Sequence, residues 1–541
     1  MKAVQKMGIN TLALFLAGAV IGCGGRSHPP RESQPPVLSL AQKCEALTRS
    51  TPSDTTFTVV EHRQAGDFKD PLGITSASLP AFCRVAATLK PTSDSNIKVE
   101  IWLPADGWNG RYVGLGNGGF AGTLDYPALA SGLKRGYAVA HTDMGTSTDN
   151  PAGSGQGLIG HPERIIDWGH RSTHLMTAVA KDLVRHYYGQ PKFSSYFTGC
   201  STGGGQGLHE AQRYPTDYDG ILVGAPANDR VATHTSLMWS GAAARTSPDV
   251  ALPLQKLQIL NKAVVAACDS ADGVTDGLVS QPAQCKFDPQ VLQCRAGDGD
   301  DCLTAGQLSA VQKLYQGPVD SRSGASIYAG QAKGSELGWV AFTYPIAPNG
   351  QVLFDDLFYW VFGPSFNWRN FDYGGDFTAT QNVLSANVDA ASSDLRAFKN
   401  RGGKILMYQG LADQLITPGQ IVRYLNKVES GTGQTPSFMR LVNVPGMAHC
   451  AGGDAPAVFG QGFSLSAKPG DPSQDIFAAL ERWVEAGEAP EQIVASQFAN
   501  NDIAAANLVR TRPLCVYPKV ARYKGTGDVN SAASFSCEAS L

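Results

Sequence analysis

The chain is predicted to be an α/β protein in which a largely parallel sheet is wrapped by helices and interrupted by a long insertion. Three observations predict this. Short apolar runs alternate with helix-period segments through the first half, the alternation breaks after Asn228, and it resumes near Asp394. At 541 residues the chain exceeds what one core normally organises, about 250–300 residues, so two structural units are expected.

The elements follow in order. Residues 97–103, 111–115 and 137–142 are strand-like, each ending at Gly or Asp. Leu175, Val179, Leu183 and Tyr187 recur every four residues and mark a helix over 171–188. Residues 193–198 form a short strand, 203–214 a helix, and 220–223 a buried strand closed by Gly224-Ala225-Pro226. Beyond Asn228 come helices, Asp-rich loops, cysteine pairs and an aromatic stretch over 342–373. Sheet texture returns at 404–408 and 439–444, followed by a helix over 473–486. The body is therefore assigned to 39–228 and 391–541, and the insertion to 229–390.

Lys2 and Lys6 precede an apolar run from Leu12 to Ile21 that is short for a membrane span, the pattern of an export signal. Val20-Ile21-Gly22-Cys23 resembles a bacterial lipobox, which makes 1–23 a signal peptide with a lipid-accepting cysteine and 24–38, rich in Gly, Ser, Pro and Arg, a tether. The alternative is an ordinary signal peptide with an incidental cysteine. Either way the protein is exported, as an outer-membrane lipoprotein or a periplasmic or secreted enzyme, with any membrane contact made through that anchor.

A net charge of −3 and 17% charged residues provide no basic stripe for phosphates, which argues against nucleic acid as a partner. Eleven cysteines suit an oxidising compartment, and removing Cys23 leaves ten. Cys294 with Cys302, Cys268 with Cys285, and Cys515 with Cys537 are natural local pairs; Cys44, Cys83, Cys200 and Cys450 remain. Thiol-bound metal is disfavoured because no CxxC pair occurs.

Gly199-Cys200-Ser201-Thr202-Gly203 fits G-x-S-x-G, in which glycines relieve crowding at a sharp strand-to-helix turn that lifts a serine hydroxyl from the sheet. Such a serine needs a base, and in an α/β-hydrolase the chain order is Ser, acid, His. Nine of the ten histidines lie at or before His234, leaving His449 as the base. His209 and His141 are read as structural. Asp413 follows the strand-like run 404–408 and is the candidate acid, placed to accept the Nδ1 proton of His449. Thr202 would supply one backbone N–H to the oxyanion. The bare loop Gly116-Asn117-Gly118-Gly119 offers a second through Asn117 and Gly118, a simple tight turn being the alternative. This chemistry needs no organic cofactor.

Cys200-Ser201, Asp413 and His449-Cys450 together resemble the CS-D-HC arrangement of the tannase and feruloyl esterase family, a likeness that spans nearly the whole mature chain. The resemblance implies an α/β-hydrolase fold with a large inserted lid domain and a disulfide between Cys200 and Cys450. It also implies a structural calcium site in the lid, with Asp269, Asp272, Asp276 and the carbonyls of Val274 and Leu278 as ligands. Three carboxylates in a Gly-containing loop suit a hard cation on their own, although a solvated acidic turn is the alternative. The implied substrates are esters of aromatic acids: gallates, hydroxycinnamates or mono(2-hydroxyethyl) terephthalate. Phe358, Tyr359 and Trp360, with Ile416, are candidate substrate contacts, although an aromatic stripe is also what a core requires. The terephthalate enzymes of this family use a lid arginine, and none lies between Arg322 and Arg369, which favours an uncharged phenolic acyl group. A serine peptidase and an inactive ester-binding lipoprotein are the rivals. The first lacks an identifiable acidic pair for an amine, and the second would be expected to lack a triad member.

Overall fold

The computed structural model describes residues 38–49, 54–73, 75–146, 154–343, 352–463, 466–504 and 507–540. The signal peptide, Cys23 and the tether up to Val37 lie outside them. Residues 40–541 form one compact unit.

Its centre is a nine-stranded mixed sheet: β1 (Thr55–Arg63), β2 (Phe82–Leu89), β3 (Ile97–Pro104), β4 (Arg111–Leu115), β5 (Ala138–Thr142), β6 (Ser194–Cys200), β7 (Gly220–Gly224), β8 (Lys404–Gly410) and β9 (Met439–Val444). The spatial order is β1-β2-β3-β5-β4-β6-β7-β8-β9. β1 to β3 are antiparallel and β3 meets β5 antiparallel, while β5-β4-β6-β7-β8-β9 run parallel. This is the α/β-hydrolase plan. The parallel strands are apolar on both faces: β5 and β7 are buried at every residue, because helices cover the sheet on each side.

Helix Ser172–Tyr188 buries Met176, Val179, Ala180, Leu183 and Val184 against one face. Helix Ile476–Ala486 covers the other with Ile476, Phe477, Leu480 and Trp483, and is capped by Asp475, whose carboxylate accepts the N–H groups of Phe477 and Ala478. Among the described residues the segment between β7 and β8 contributes helices and loops but no strand to the sheet. Helices Arg230–Arg245, Leu254–Cys268, Ala305–Gln316 and Gly375–Val388 build it around two further apolar clusters.

Five disulfides tie the chain: Cys44–Cys83, Cys200–Cys450, Cys268–Cys285, Cys294–Cys302 and Cys515–Cys537. The pairing that the resemblance implied for Cys200 and Cys450 is present, and so are the three local pairs.

Candidate active site

Ser201 sits where β6 ends and helix Thr202–Arg213 begins. Its backbone is at φ 62°, a conformation that costs a non-glycine residue about 1–3 kcal/mol. The surroundings hold it there: the Ser201 N–H donates to the Gly224 carbonyl at 3.0 Å, and the Ser201 carbonyl accepts from Ala227 and Gly205 at 2.9 and 3.1 Å. The flanking glycines are required by close approach. A Cβ at Gly116 would lie 2.6 Å from Gly203 Cα and 3.0 Å from Gly199 Cα, so loop 116–119 and the elbow meet backbone to backbone.

Asp413 follows β8 and is fully buried. Its Oδ1 accepts the N–H of Leu415 at 2.8 Å and of Ile416 at 3.0 Å, while Gln409 Nε2 reaches Oδ2 at 3.3 Å. His449 Nδ1–H donates to the same carboxylate, 2.9 Å from Oδ2 and 3.1 Å from Oδ1. Burial lowers the imidazole's affinity for a proton, but the Asp413 carboxylate and its hydrogen bond prevail, holding His449 above the ordinary histidine value. Cys200–Cys450 covalently joins the residue before Ser201 to the residue after His449, with their Cα atoms 5.9 Å apart. The Asp413 and His449 loops are also stitched together, Ala412 N–H donating to the Met447 carbonyl at 3.0 Å.

The oxyanion loop requires a correction. The Asn117 N–H donates to Gln206 Oε1 at 2.8 Å and its side chain donates to the Thr142 carbonyl at 2.7 Å, so Asn117 is spent on holding the loop. Gly118 opens onto free space, and Thr202 Oγ1 pins the loop by donating to the Gly119 carbonyl at 2.6 Å. Gln206, one turn into the elbow helix, was not anticipated; it carries no sequence signal beyond its distance from Ser201. His141, paired across the sheet with Leu115, borders a cavity of about 440 Å³ beside Gly116–Gly118, and burial lowers its pKa to about 4. His209 is in the core, with Nε2 beside the Val388 carbonyl at 3.2 Å.

The aromatic candidates separate. Phe358 is fully buried and packs on Phe366 and Phe371, and Ile416 is buried in the main core while its N–H holds Asp413. Neither exposes a surface to a ligand, because lid and body each needed an apolar interior there. Tyr359 packs edge-on against Phe366. Trp360 donates from Nε1 to the Gly155 carbonyl at 2.7 Å and packs on Trp168 and Phe120. Phe120, immediately after the oxyanion loop, also meets His234 and Phe354. An aromatic belt thus runs from the insertion to the oxyanion loop.

The acidic loop lies behind Cys268. Asp269 accepts the N–H groups of Asp276 (3.1 Å) and Gly277 (2.8 Å), and Asp272 accepts from Val274 N–H (3.2 Å) and Ser280 Oγ (2.7 Å). Asp276 pairs with Arg512 and Arg510, and both Val274 and Leu278 are buried. Burial, with Asp276 and Asp269 nearby, raises the Asp272 pKa. The donor set is all oxygen, the kind a hard cation takes, and part of its negative charge already meets Arg510 and Arg512 at Asp276. The loop approaches the segment that precedes His449: a Cβ at Gly446, three residues before it, would lie 2.6 Å from the Leu278 side chain.

The family model described as tannase and feruloyl esterase matches residues 83–352 and 365–538. An uncharacterised esterase of Xanthomonas campestris is 36% identical over 91% of this chain and 90% of its own. A probable feruloyl esterase B-2 of Aspergillus terreus is 32% identical over 86% and 88%. Feruloyl esterase B of Aspergillus oryzae, a solved structure, superposes with a TM-score of 0.84 at 27% identity, covering 92% of this chain and all of that one.

Proposed function

From the premise that this chain belongs to the tannase and feruloyl esterase family and is a carboxylic ester hydrolase, we propose that it cleaves esters of phenolic aromatic acids through Ser201, His449 and Asp413. The observation that carries the reading is the His449–Asp413 hydrogen bond at 2.9 Å, on a loop that Cys200–Cys450 ties to the Ser201 elbow. His449 Nε2 takes the Ser201 hydroxyl proton as Oγ attacks the ester carbonyl carbon. The Nδ1–H bond to Asp413 keeps the ring in the tautomer that leaves Nε2 free and stabilises the imidazolium that forms. The tetrahedral oxyanion is received by the N–H groups of Thr202 and Gly118. On collapse His449 returns the proton to the leaving alcohol, and water, activated by the same imidazole, then releases the acid from Ser201.

An aromatic acyl group is supported by the half-buried rings of Trp360 and Phe354, which pack on the fully buried Phe120 next to loop 116–119. With no arginine between Arg322 and Arg369, the free carboxylate of a terephthalate monoester finds no guanidinium in that part of the insertion, so a neutral phenolic ring is the better match. The segment 229–390 acts as the lid that carries this belt. Asp269, Asp272, Asp276 and the carbonyls of Val274 and Leu278 would hold a calcium ion, which supplies structural charge balance next to the His449 loop and takes no part in bond breaking. Five disulfides accord with export to an oxidising compartment, led by the 1–23 signal and anchored at Cys23.

Hydrolysis of methyl ferulate, methyl gallate, mono(2-hydroxyethyl) terephthalate and a short p-nitrophenyl ester by the purified chain, with Ser201→Ala as control, tests this. Turnover of aromatic esters that the variant loses by at least about a thousandfold is expected. Equal inactivity of both proteins on all four would overturn it.

A further inference from the structure

Away from the triad, the described residues contain one group of His and carboxylate side chains whose ligand atoms lie within 4.8 Å of one another: His174, Glu210 and Asp217. They come from three places: helix Ser172–Tyr188, the elbow helix that starts after Ser201, and the loop leading to β7. His174 Nδ1–H donates to Asp217 Oδ2 at 2.6 Å, and its ring stacks on Tyr214 with centroids 3.8 Å apart. Glu210 is only 1% exposed, and no donor reaches either of its carboxylate oxygens. What faces it is the Asp217 carboxylate, whose ligand oxygen lies within 4.8 Å. The nearby Lys181 ammonium does not resolve this, since its Nζ donates to the Asp217 backbone carbonyl at 2.6 Å.

A buried carboxylate without a donor, aimed at a second carboxylate, is costly unless a positive charge or a proton lies between them. We propose that His174, Glu210 and Asp217 bind a divalent transition-metal ion of the zinc or manganese class, which ties the elbow helix to its neighbouring helix and to the β7 loop. One imidazole nitrogen and two carboxylate oxygens are a donor set that zinc accepts, whereas calcium seeks six to eight oxygens. The His174 side chain is 32% exposed and that of Asp217 13%, so an ion reaches the group from solvent while Glu210 closes it from within. On binding, the ion takes the place of the His174–Asp217 hydrogen bond, and the ring proton moves to Nε2.

The test uses untagged protein stripped with chelator, then titrated with Zn²⁺ by calorimetry and assayed for retained zinc after gel filtration. Wild type is expected to keep one equivalent, as is Asp272→Asn in the acidic lid loop. Glu210→Gln and His174→Gln are expected to bind at least about tenfold more weakly. His174 is partly exposed, so its variant reports even where Glu210→Gln fails to fold. No zinc retained by wild type, or equal retention by His174→Gln, overturns the proposal and assigns the pair a shared proton. The readout is metal content, so it is independent of whether the chain proves to be an esterase.

Discussion

Asp413 shows how much of the chemistry depends on a single side chain. Leu415 and Ile416 N–H groups, Gln409 and His449 converge on its carboxylate, which holds it oriented in a fully buried position. Asp413→Asn is expected to lower kcat by about 10³–10⁴ with KM within a few-fold, because an amide neither fixes the productive tautomer nor stabilises imidazolium. The pH profile follows from the same contact. His449 must be neutral to act as base, and its pKa is raised, so kcat/KM should climb with pH through a value above the free-histidine figure of about 6.5. The stability contribution has the opposite sign: it is complete below the unfolded pKa and is lost as pH rises through the folded one. A profile whose acid limb lies below that of free histidine would contradict the pairing. Residue type and chain order single out Ser201, Asp413 and His449, and the structure brings His449 and Asp413 into hydrogen-bond contact. Asn117 as an oxyanion donor was not, because a spacing cannot reveal that Gln206, one helical turn past the serine, occupies that N–H.

At the scale of elements, the elbow and the histidine loop lie 250 residues apart in sequence and are joined by one bond. A Cys200→Ala/Cys450→Ala double variant should lose about 2–4 kcal/mol of stability, read from denaturant midpoints, and at least tenfold in kcat where still folded. Full activity in that variant would show that hydrogen bonds alone hold the geometry. The segment between β7 and β8 meets the same loop through Leu278 against Gly446. Chelation of the proposed calcium ion should therefore lower Tm by several degrees and reduce turnover together, while an unchanged Tm in chelator would exclude the site; binding at a hundred times Kd contributes about 2.7 kcal/mol. The parallel strands were visible as apolar runs and match within a residue or two, as with 220–223 against Gly220–Gly224. β1 and β2 were not identified, since they are antiparallel strands outside the strand-helix alternation and β1 is half-exposed along most of its length.

For the whole molecule, the proposed anchor at Cys23 and the body lie in separate stretches of the sequence. Cys23→Ala should move the protein from the membrane fraction to the soluble one with kcat/KM within about twofold, and persistence in the membrane fraction would argue against a lipid at Cys23. The sequence by itself determined the fold class, the family and the local disulfides, and it singled out Ser201, Asp413 and His449 as the proposed triad, because each of these is read from local periodicity, a short motif or chain order. Only the tertiary structure decided which aromatics form the interior of the insertion and which form the belt at the oxyanion loop. Phe358 and Trp360 stand two residues apart on one helix, yet Phe358 is enclosed by Phe366 and Phe371 while Trp360 reaches Phe120. The physical reason is that burial and close approach are properties of surfaces brought together from distant parts of the chain. The contact of Gly116 with Gly203, the convergence of Glu210 with Asp217, and the pressing of Leu278 on Gly446 all exist only once the chain has folded.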